Sequence, residues 1–276
     1  MGLITATTNV KEPTSVLDRF TLKGKKTLVT GAAGGIGRAT SKAFAELGAD
    51  VAIVDIEAKL EKSQAWAEEL KKLYGVNAIG VAADVSSKES VDEMVKQVVE
   101  AFGTIDVVHS NAGIGAFNDH PGMELDTWNR MLSINLTGVM LVDVACADVM
   151  LAHGHGGSII NTASLSAHIV NPPYGENPAM ICYSTCKAGV LHLTKALALN
   201  YAKAGIRVNS ISPGYIWSGL HAGCTEERCA FEEQTVPVGH YGYLDDVTGP
   251  VCLLATDLGG YMNGTDIIFD GGVTIY

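Results

Sequence analysis

The sequence predicts a single α/β domain built on a doubly wound, seven-stranded parallel sheet, and two observations support this fold class. Short runs of β-branched and other apolar residues recur roughly every 20 to 50 residues, with amphipathic helical patterns between them. The runs are apolar throughout instead of alternating with polar residues. Continuous apolar strands are typical of parallel sheets that helices cover on both faces.

The predicted elements follow one another in a regular order. Residues 1–22 have mixed character and one proline, so we expect an arm that leads into a domain of residues 23–276. The strands are then KTLVT, DVAIVD, NAIGVAAD, IDVVHSNAG, GSIINTAS, IRVNSISPG and DIIFDGG. Helical patterns such as GRATSKAFAELG and SVDEMVKQVVEAFG join them. Segment 214–245 is rich in glycine, histidine, cysteine and aromatic residues, and we expect it to form a flexible cover over a site.

Composition and charge indicate a soluble globular protein. Hydrophobic residues make up 47% of the chain and charged residues 18%, which allows a sizeable core. The apolar run VMLVDVACADVML is interrupted by Asp143 and Asp148 and is shorter than the ~20 residues that span a bilayer, so we expect no membrane partner. A formal charge of -11 argues against a nucleic-acid partner. The N-terminus has no basic-then-apolar signal pattern, which predicts a cytoplasmic protein.

The cysteines and histidines predict neither a disulfide framework nor a metal site. The six cysteines, at positions 146, 182, 186, 224, 229 and 252, lack the repeated Cys-x-x-Cys spacing of a zinc site. Cys182 and Cys186 could share a helix face and bind a metal, although buried reduced thiols are the favoured interpretation. His153 and His155, in AHGHGG, indicate a polar loop.

A glycine-rich turn predicts a dinucleotide site. The first strand runs directly into GAAGGIGRATSKAF, so Gly31, Gly35 and Gly37 lie where missing Cβ atoms let the backbone approach a pyrophosphate. Asp55 ends the second strand, 18 residues beyond Gly37, where its carboxylate can accept hydrogen bonds from both ribose hydroxyls of adenosine. The same carboxylate repels a 2'-phosphate, so we expect NAD(H) as the cofactor. Arg38 argues the other way, because a guanidinium near the ribose could bind that phosphate.

The stretch YSTCK, residues 183–187, predicts a site of proton transfer. Tyr183 and Lys187 are four residues apart at the start of an apolar helical run, so both lie on one helix face. Hydride transfer to or from nicotinamide leaves a proton to be moved at the substrate oxygen, which requires a general acid/base. Tyrosine titrates near 10, so its pKa has to fall by about three units for work near neutrality. We expect Lys187, aided by the positive charge of nicotinamide, to lower it.

Several motifs occur together and in order, namely TGAAGGIG, DV at 84–85, NAG at 111–113, Asn135, Ser164, YSTCK and PGYIWS. Through them the chain resembles the short-chain dehydrogenase/reductase family over residues 23–276. The glycine spacing, Gly-x-x-x-Gly-x-Gly, is the form typical of that family. The resemblance implies a Rossmann fold and an NAD(H)-dependent oxidoreductase that interconverts a secondary alcohol and a ketone. It also implies a homotetramer whose interfaces are the long helices after Asn135 and Tyr183.

The resemblance assigns roles to individual residues. Tyr183 would be the acid/base, and Lys187 would activate it and hold the nicotinamide ribose. Ser164 would bind the substrate oxygen, with Ser166 as a neighbouring competitor because Ser164 lies 19 residues before the tyrosine instead of about a dozen. Asn135 would hold a water that links Lys187 to solvent. The expected cofactor contacts, besides Tyr183 and Lys187, are Gly31, Gly35, Ile36, Gly37, Asp55, Asp84, Val85, Asn111, Ala112, Gly113, Pro213, Gly214, Ile216 and Ser218.

The sequence leaves two substrate classes open. SLSAHIVN and SVLDRFTLKGK resemble the polyol and ketose reductases of the family, such as mannitol- and sorbose-type enzymes, although that group commonly has an aspartate where this chain has Trp217. An aromatic wall from Trp217, with Tyr215, Leu220 and Met180 nearby, better fits a flat apolar substrate. The balance is slightly in favour of a hydroxysteroid, unless Trp217 only packs the cover.

A non-enzymatic alternative is a dinucleotide-binding sensor that has lost catalysis. Such a protein would be expected to lack at least one of the four predicted catalytic residues. The sequence retains Asn135, Ser164, Tyr183 and Lys187. It therefore favours an enzyme.

Overall fold

The central element of the computed structural model is a seven-stranded sheet in the order β3-β2-β1-β4-β5-β6-β7, with every neighbouring pair parallel. The structure describes residues 13–115, 119–173, 180–218 and 225–275. The strands are β1 Lys26–Thr30, β2 Asp50–Asp55, β3 Ala78–Ala82, β4 Val107–Ser110, β5 Gly157–Thr162, β6 Ile206–Pro213 and β7 Asp266–Phe269. The predicted fold class and all seven predicted strands are confirmed.

Helices cover both faces of this sheet. They are α1 Val16–Arg19, α2 Gly35–Glu46, α3 Leu60–Tyr74, α4 Lys88–Phe102, α5 Leu125–Leu132, α6 Gly138–His153, α7 Ile181–Tyr201, α8 Glu226–Thr235 and α9 Leu244–Ala255. Helices α2, α3 and α9 share one apolar cluster with the sheet, and α4, α6 and α7 share the other. Adjacent residues of β5 point to opposite clusters, Ile160 to the first and Ile159 to the second. This two-sided burial explains why the strands are apolar throughout.

The strand order places a crevice at the carboxyl edge of the sheet. Strand β1 pairs with β2 on one side and with β4 on the other, so the chain reverses its winding direction between them. In open α/β sheets, ligands bind at this switch point, outside the carboxyl ends of the strands. The last residues of the strands, including Thr30, Asp55, Ser110 and Thr162, therefore lie around one edge.

Helices α5 and α6 are continuous through a π-helical turn, Ser133–Thr137. The combined helix, Leu125–His153, has the length and apolar composition to cross a membrane, but 44% of its most apolar window is buried inside the domain. Val142, Cys146 and Met150 pack against the sheet. Core packing accounts for the apolar sequence.

The predicted cover segment, 214–245, contains more regular structure than we expected. It includes α8, which Thr225 caps by accepting a hydrogen bond from the Arg228 N–H. Arg228 Nε also pairs with Glu232 Oε1 one turn later, at 2.9 Å. Helix α8 is hard to predict from the sequence because the residue that it buries is Glu232, so its sequence lacks the apolar stripe of an amphipathic helix. Residues 219–224 and most of the N-terminal arm, residues 1–12, lie outside the described residues.

Candidate active site

Tyr183 and Lys187 lie one turn apart on α7, as predicted, with the Lys187 Nζ atom 5.6 Å from the centroid of the Tyr183 ring. Lys187 is 3% exposed, and its Nζ atom donates a hydrogen bond to the Thr162 carbonyl oxygen at 2.6 Å. Thr162 ends β5, so the lysine is fixed to the carboxyl edge of the sheet. Burial lowers the pKa of Lys187 to about 8, because desolvation disfavours its charged form.

The protein environment acts on Tyr183 in the direction opposite to our expectation. Burial raises the pKa of Tyr183 above its ordinary value, and a hydrogen bond with the Ser164 side chain lowers the pKa in partial compensation. The reason is that burial disfavours the charged phenolate more than the hydrogen bond from Ser164 stabilises it. The protein alone therefore keeps Tyr183 protonated, which is the form that donates a proton to a ketone.

Ser164 is the serine that meets Tyr183, and its predicted competitor Ser166 supports it. Ser164 precedes a 3-10 turn, Leu165–Ala167, and its Oγ atom accepts the Ser166 N–H at 3.1 Å. The Ser164 hydroxyl also donates to Ser166 Oγ at 3.2 Å. Both serines are at least nine-tenths buried. The extra residues between Ser164 and Tyr183 include 174–179, which lie outside the described residues.

Asn135 occupies the π-helical turn and is completely buried. Its Oδ1 atom accepts the Ile114 N–H and its Nδ2 atom donates to the Ile114 carbonyl, both at 2.8 Å. A Cβ atom on Gly113 would lie 3.1 Å from Asn135 Oδ1 and 3.8 Å from Lys187 Nζ, so these groups converge. These two bonds fix the Asn135 side chain and leave one N–H of Nδ2 and one lone pair of Oδ1 without a printed partner, so the predicted role of Asn135 in holding a relay water stays a prediction.

The glycine turn has the shape that a pyrophosphate requires. Gly31 and Gly35 have positive φ angles of 66° and 50°. A Cβ atom added to Gly31 would lie 3.0 Å from Ala112 Cα, and one added to Gly35 would lie 2.7 Å from the Ser218 carbonyl oxygen. A Cβ atom added to Gly37 would lie only 2.4 Å from the Gly31 carbonyl oxygen. Helix α2 begins at Gly35, and its N-cap residue, Gly34, has no side chain to occupy the first N–H groups. The turn thus fits a dinucleotide whose charge meets a helix N-terminus.

Asp55 lies at the end of β2, as predicted, and is 7% exposed. Its Oδ2 atom accepts the Ala33 N–H from the glycine turn at 3.0 Å, and its Oδ1 atom accepts the Ile56 N–H at 2.9 Å. Lys59 Nζ lies 3.4 Å from the same Oδ1 atom. The carboxylate is therefore fixed beside the turn, and a lysine partly balances its charge.

Arg38, the residue that argued for NADP, contacts α3. Its guanidinium carbon lies 3.5 Å from the centroid of the Trp66 ring, and Nη2 lies 3.4 Å from Glu69 Oε2. The Trp66 ring is itself fixed by a hydrogen bond from Nε1 to Ser41 Oγ at 2.9 Å. The stacking on Trp66 gives the Arg38 guanidinium a partner within the protein.

The other predicted cofactor residues of the first half line the switch point or flank it. The Asn111 N–H donates to Thr30 Oγ1 and its Nδ2 atom to the Thr30 carbonyl, both at 3.0 Å, and the Ala112 N–H also donates to Thr30 Oγ1. Asp84 is exposed in the turn after β3, where its Oδ1 atom accepts the Ser86 N–H. Val85 is buried, and Ile36 packs partly against the core.

The predicted residues after β6 reach the glycine turn from the other side. Pro213 ends β6, and the Gly214 N–H donates to the Phe269 carbonyl at 3.0 Å. Ile216 is buried and forms an isolated parallel bridge with Gly242. The Ser218 carbonyl oxygen lies against Gly35, because a Cβ atom added to Gly35 would be 2.7 Å from it. The structure therefore brings both halves of the predicted cofactor set together.

The predicted substrate residues divide into two groups. Trp217 and Tyr215 surround the buried Tyr241, with ring centroids 4.4 Å and 5.8 Å from it. Trp217 still exposes 40% of its surface, so it packs the cover and also presents an apolar face. Met180 is half-buried directly before α7. Leu220 lies outside the described residues.

Two comparisons identify the family. The family model described as "Enoyl-(Acyl carrier protein) reductase" matches residues 31–274. The crystal structure of a short-chain type dehydrogenase/reductase from Mycobacterium marinum is 40% identical, with a TM-score of 0.89, over 95% of this chain and 100% of that chain. The chain belongs to the short-chain dehydrogenase/reductase family.

Named relatives of this short-chain dehydrogenase/reductase are oxidoreductases. The sorbose reductase of Candida albicans is 37% identical over 95% of this chain and 91% of its own length. The NADP-dependent mannitol dehydrogenase of Hypocrea jecorina is 37% identical over 94% and 96%, and the 3beta-hydroxysteroid dehydrogenase of Eggerthella lenta is 34% identical over 92% and 95%. The resemblance to polyol and hydroxysteroid dehydrogenases is thus confirmed. Members of this family bind a nicotinamide dinucleotide and act on CH–OH groups.

Sequence reasoning missed several residues that position this short-chain dehydrogenase/reductase site. Thr162 holds Lys187, Thr30 holds Asn111 and Ala112, and Ile114 holds Asn135. Each of these residues acts through backbone groups or a small hydroxyl, and no sequence motif singles out these groups. Their position could have indicated two of them, because Thr30 and Thr162 are the last residues of predicted strands.

Proposed function

We propose that this chain is an NAD(H)-dependent dehydrogenase that interconverts a secondary alcohol and a ketone, with Tyr183 as the acid/base. The observation that supports this most is the convergence of Tyr183, Ser164 and Lys187 at the carboxyl edge of the sheet, beside a glycine turn that fits a dinucleotide. Nicotinamide supplies or accepts the hydride. The protein has to orient the substrate oxygen and move one proton.

In the reductive direction, the Ser164 hydroxyl turns from Ser166 Oγ and donates its hydrogen bond to the ketone oxygen, which orients the substrate. Tyr183 Oη gives its proton to that oxygen as hydride reaches the carbonyl carbon, which leaves an alcohol and a phenolate. The Lys187 ammonium stabilises the phenolate, and its pKa of about 8 lets it exchange protons near neutral pH. In the oxidative direction the same proton returns from the alcohol to Tyr183.

Asp55 supports the proposal that the cofactor is NAD(H). Its buried carboxylate lies beside the glycine turn, where it favours ribose hydroxyls and disfavours a 2'-phosphate. Arg38 stacks on Trp66 and pairs with Glu69. Lys59 weakens the preference, because it lies 3.4 Å from Asp55 Oδ1 and could meet a phosphate. We therefore propose a preference for NAD(H), with NADP(H) also accepted.

For the substrate we propose a polyol or its ketose. Two of the three relatives described above are named for such substrates, and Trp217 packs against Tyr241 as part of the cover. The cover also contains polar groups, since Asn171 Nδ2 donates to the Tyr215 hydroxyl at 3.1 Å. A hydroxysteroid is the second candidate, favoured by the exposed 40% of Trp217 and by the Eggerthella relative.

A panel of oxidoreductase assays tests these proposals. NADH or NADPH consumption would be followed with ketohexoses, four- and five-carbon ketoses, and 3-ketosteroids at matched concentrations. We expect turnover with a ketose and a higher kcat/KM for NADH than for NADPH. Turnover restricted to ketosteroids would establish the second candidate. Tight NADH binding without turnover on any alcohol or ketone would indicate the sensor and reject the enzyme.

We also propose that the protein acts in the cytoplasm as a homotetramer that binds a small-molecule substrate and neither nucleic acid nor membrane. The formal charge of -11 supports the exclusion of nucleic acid. Exposed leucines on the two longest helices, Leu151 on α6 and Leu199 on α7, support assembly through these helices.

A further inference from the structure

Asp119 is a buried carboxylate that binds the start of the catalytic helix. It is 4% exposed, although it lies in a connecting segment between β4 and α5. Its Oδ1 atom accepts the backbone N–H groups of Ile181 at 2.9 Å and Cys182 at 2.8 Å. Its Oδ2 atom accepts the backbone N–H of Tyr183 itself at 2.8 Å. One side chain thus binds three consecutive N–H groups.

These N–H groups need a partner from outside the helix. The first four N–H groups of any α-helix lack intrahelical acceptors, and a nearby side chain usually satisfies one of them. The residue before α7 is Met180, whose side chain does not cap the helix. Asp119, 62 residues before Ile181 in the chain, replaces the missing local cap. Its negative charge also faces the positive end of the helix dipole, which is a favourable placement.

We propose that Asp119 is a positioning residue for catalysis, which holds the backbone of Tyr183 so that the phenol meets Ser164 and the substrate oxygen. This inference rests on the proposed role of Tyr183. The other two groups of the site are held elsewhere, because Ser164 is fixed by its own 3-10 turn and Lys187 by Thr162. Among the residues that the structure describes, Asp119 is the one whose side chain binds the N–H groups of the first turn of α7.

Two described residues that precede Asp119 in the chain contact the other catalytic elements. Gly113 lies close to Asn135 and Lys187, and Ile114 makes two hydrogen bonds with Asn135. Ile114 and Asp119 therefore connect the carboxyl end of β4 to both the π-helical turn and α7. A shift of Asp119 would move the acid/base relative to the cofactor edge.

The test compares two substitutions of Asp119 with a substitution of a helix-capping residue on another helix. Asp119→Ala removes all three acceptor bonds, and we expect kcat to fall about 100-fold, since a displacement of ~1 Å has that effect on a reacting group. Asp119→Asn keeps one acceptor oxygen but turns an NH2 group toward one of the N–H donors, so we expect a loss of about tenfold. The dissociation constant of NADH should change less than about twofold in both, because neither variant alters the glycine turn.

Ser87→Ala is the control. Ser87 caps α4 by accepting the Ser90 N–H, and α4 carries none of the predicted site residues. We expect the control to lower thermal stability while kcat stays at the wild-type value. Activities are expressed per NADH-binding site, so that a variant with a reduced folded fraction is still measured correctly.

Amide hydrogen exchange separates this inference from the proposed function. The amides of Ile181, Cys182 and Tyr183 should exchange at least about tenfold faster in Asp119→Ala than in wild type or Ser87→Ala. If wild type turns over no substrate, the proposed function fails, while faster exchange would still establish the anchoring by Asp119. Wild-type kcat in Asp119→Ala, or unchanged exchange of the three amides, would overturn the inference.

Discussion

Two ionisable side chains, His109 and Asp143, are completely buried beneath the site. Burial lowers the pKa of His109 to about 3, with the charge of Lys187 as a second cause, so this histidine is neutral at physiological pH. Burial raises the pKa of Asp143 to about 7. Asp143 Oδ1 accepts the Ser110 hydroxyl at 2.6 Å, while Asp143 Oδ2 and Asn161 Oδ1 each lack a hydrogen-bond partner. A protonated Asp143 could donate to Asn161 and satisfy both oxygens.

Asp143 should therefore make stability depend on pH. The folded protein keeps the Asp143 proton up to about pH 7, whereas an unfolded chain releases it near 3.8. The stability from this group is fully present below pH 3.8 and declines by about 1.4 kcal/mol per pH unit until about pH 7. In Asp143→Asn the amide can make the same bonds without titrating. We expect its free energy of unfolding, relative to wild type, to rise by about 3 kcal/mol between pH 5 and pH 8.

Urea unfolding at pH 5, 6, 7 and 8 and at one protein concentration measures this difference. Asp148→Asn, on the exposed face of the same helix, is the control and should follow wild type at every pH. A constant offset between Asp143→Asn and wild type across the series would show that Asp143 does not titrate in this range.

A second residue-scale prediction concerns the choice of cofactor. Asp55→Asn keeps an acceptor for the Ala33 N–H but removes the charge that disfavours a 2'-phosphate. We expect the ratio of kcat/KM for NAD to that for NADP to fall about tenfold, which is within the range for loss of one charge-assisted hydrogen bond. Lys59→Ala removes the opposite charge and should raise the ratio. If Asp55→Asn leaves the ratio unchanged, another group reads the ribose.

At the scale of elements, the strand–turn–helix unit of β1 and α2 is the tightest part of the cofactor edge. We predict that Gly37→Ala lowers stability by about 1–3 kcal/mol and weakens NADH binding, because its Cβ would lie 2.4 Å from the Gly31 carbonyl oxygen. Gly249→Ala on α9 is the control, since its Cβ would meet no atom within 4 Å and the residue lies outside the glycine turn. Fluorescence titration with NADH and thermal melts measure both effects, and equal behaviour of the two variants would refute the steric explanation.

The elements also show which features a sequence can predict. Strands such as DVAIVD and the glycine turn depend on neighbouring residues, so their periodicity and spacing predict them. The contacts of Lys187 with Thr162 and of Asp119 with Tyr183 join residues 25 and 64 apart, and no local pattern encodes them. The raised pKa of Tyr183 in the protein alone was also not predictable, because burial depends on the whole fold and not on the Tyr–Lys spacing.

At the scale of the whole molecule, two exposed helix faces bear on assembly. Leu199 on α7 is 81% exposed, and Leu151 on α6 is 44% exposed. We predict a homotetramer of this 29.0 kDa chain that Leu199→Asp disrupts, because a charge would then be buried between subunits. Leu73→Asp on α3, at a position that is 58% exposed, should leave assembly intact. Mass photometry resolves these species, and a monomeric wild type would rule out the tetramer.

Loss of one hydroxyl tests the role of Tyr183 most directly. In Tyr183→Phe we expect NADH to bind within about twofold of wild type while kcat falls by about 10²–10⁴, the range for removal of a general acid/base. Tyr201→Phe, near the other end of the same helix, should turn over at the wild-type rate. Single-turnover reduction of the ketose by bound NADH measures the chemical step. A rate for Tyr183→Phe within about threefold of wild type would contradict the assignment of Tyr183 as the proton donor.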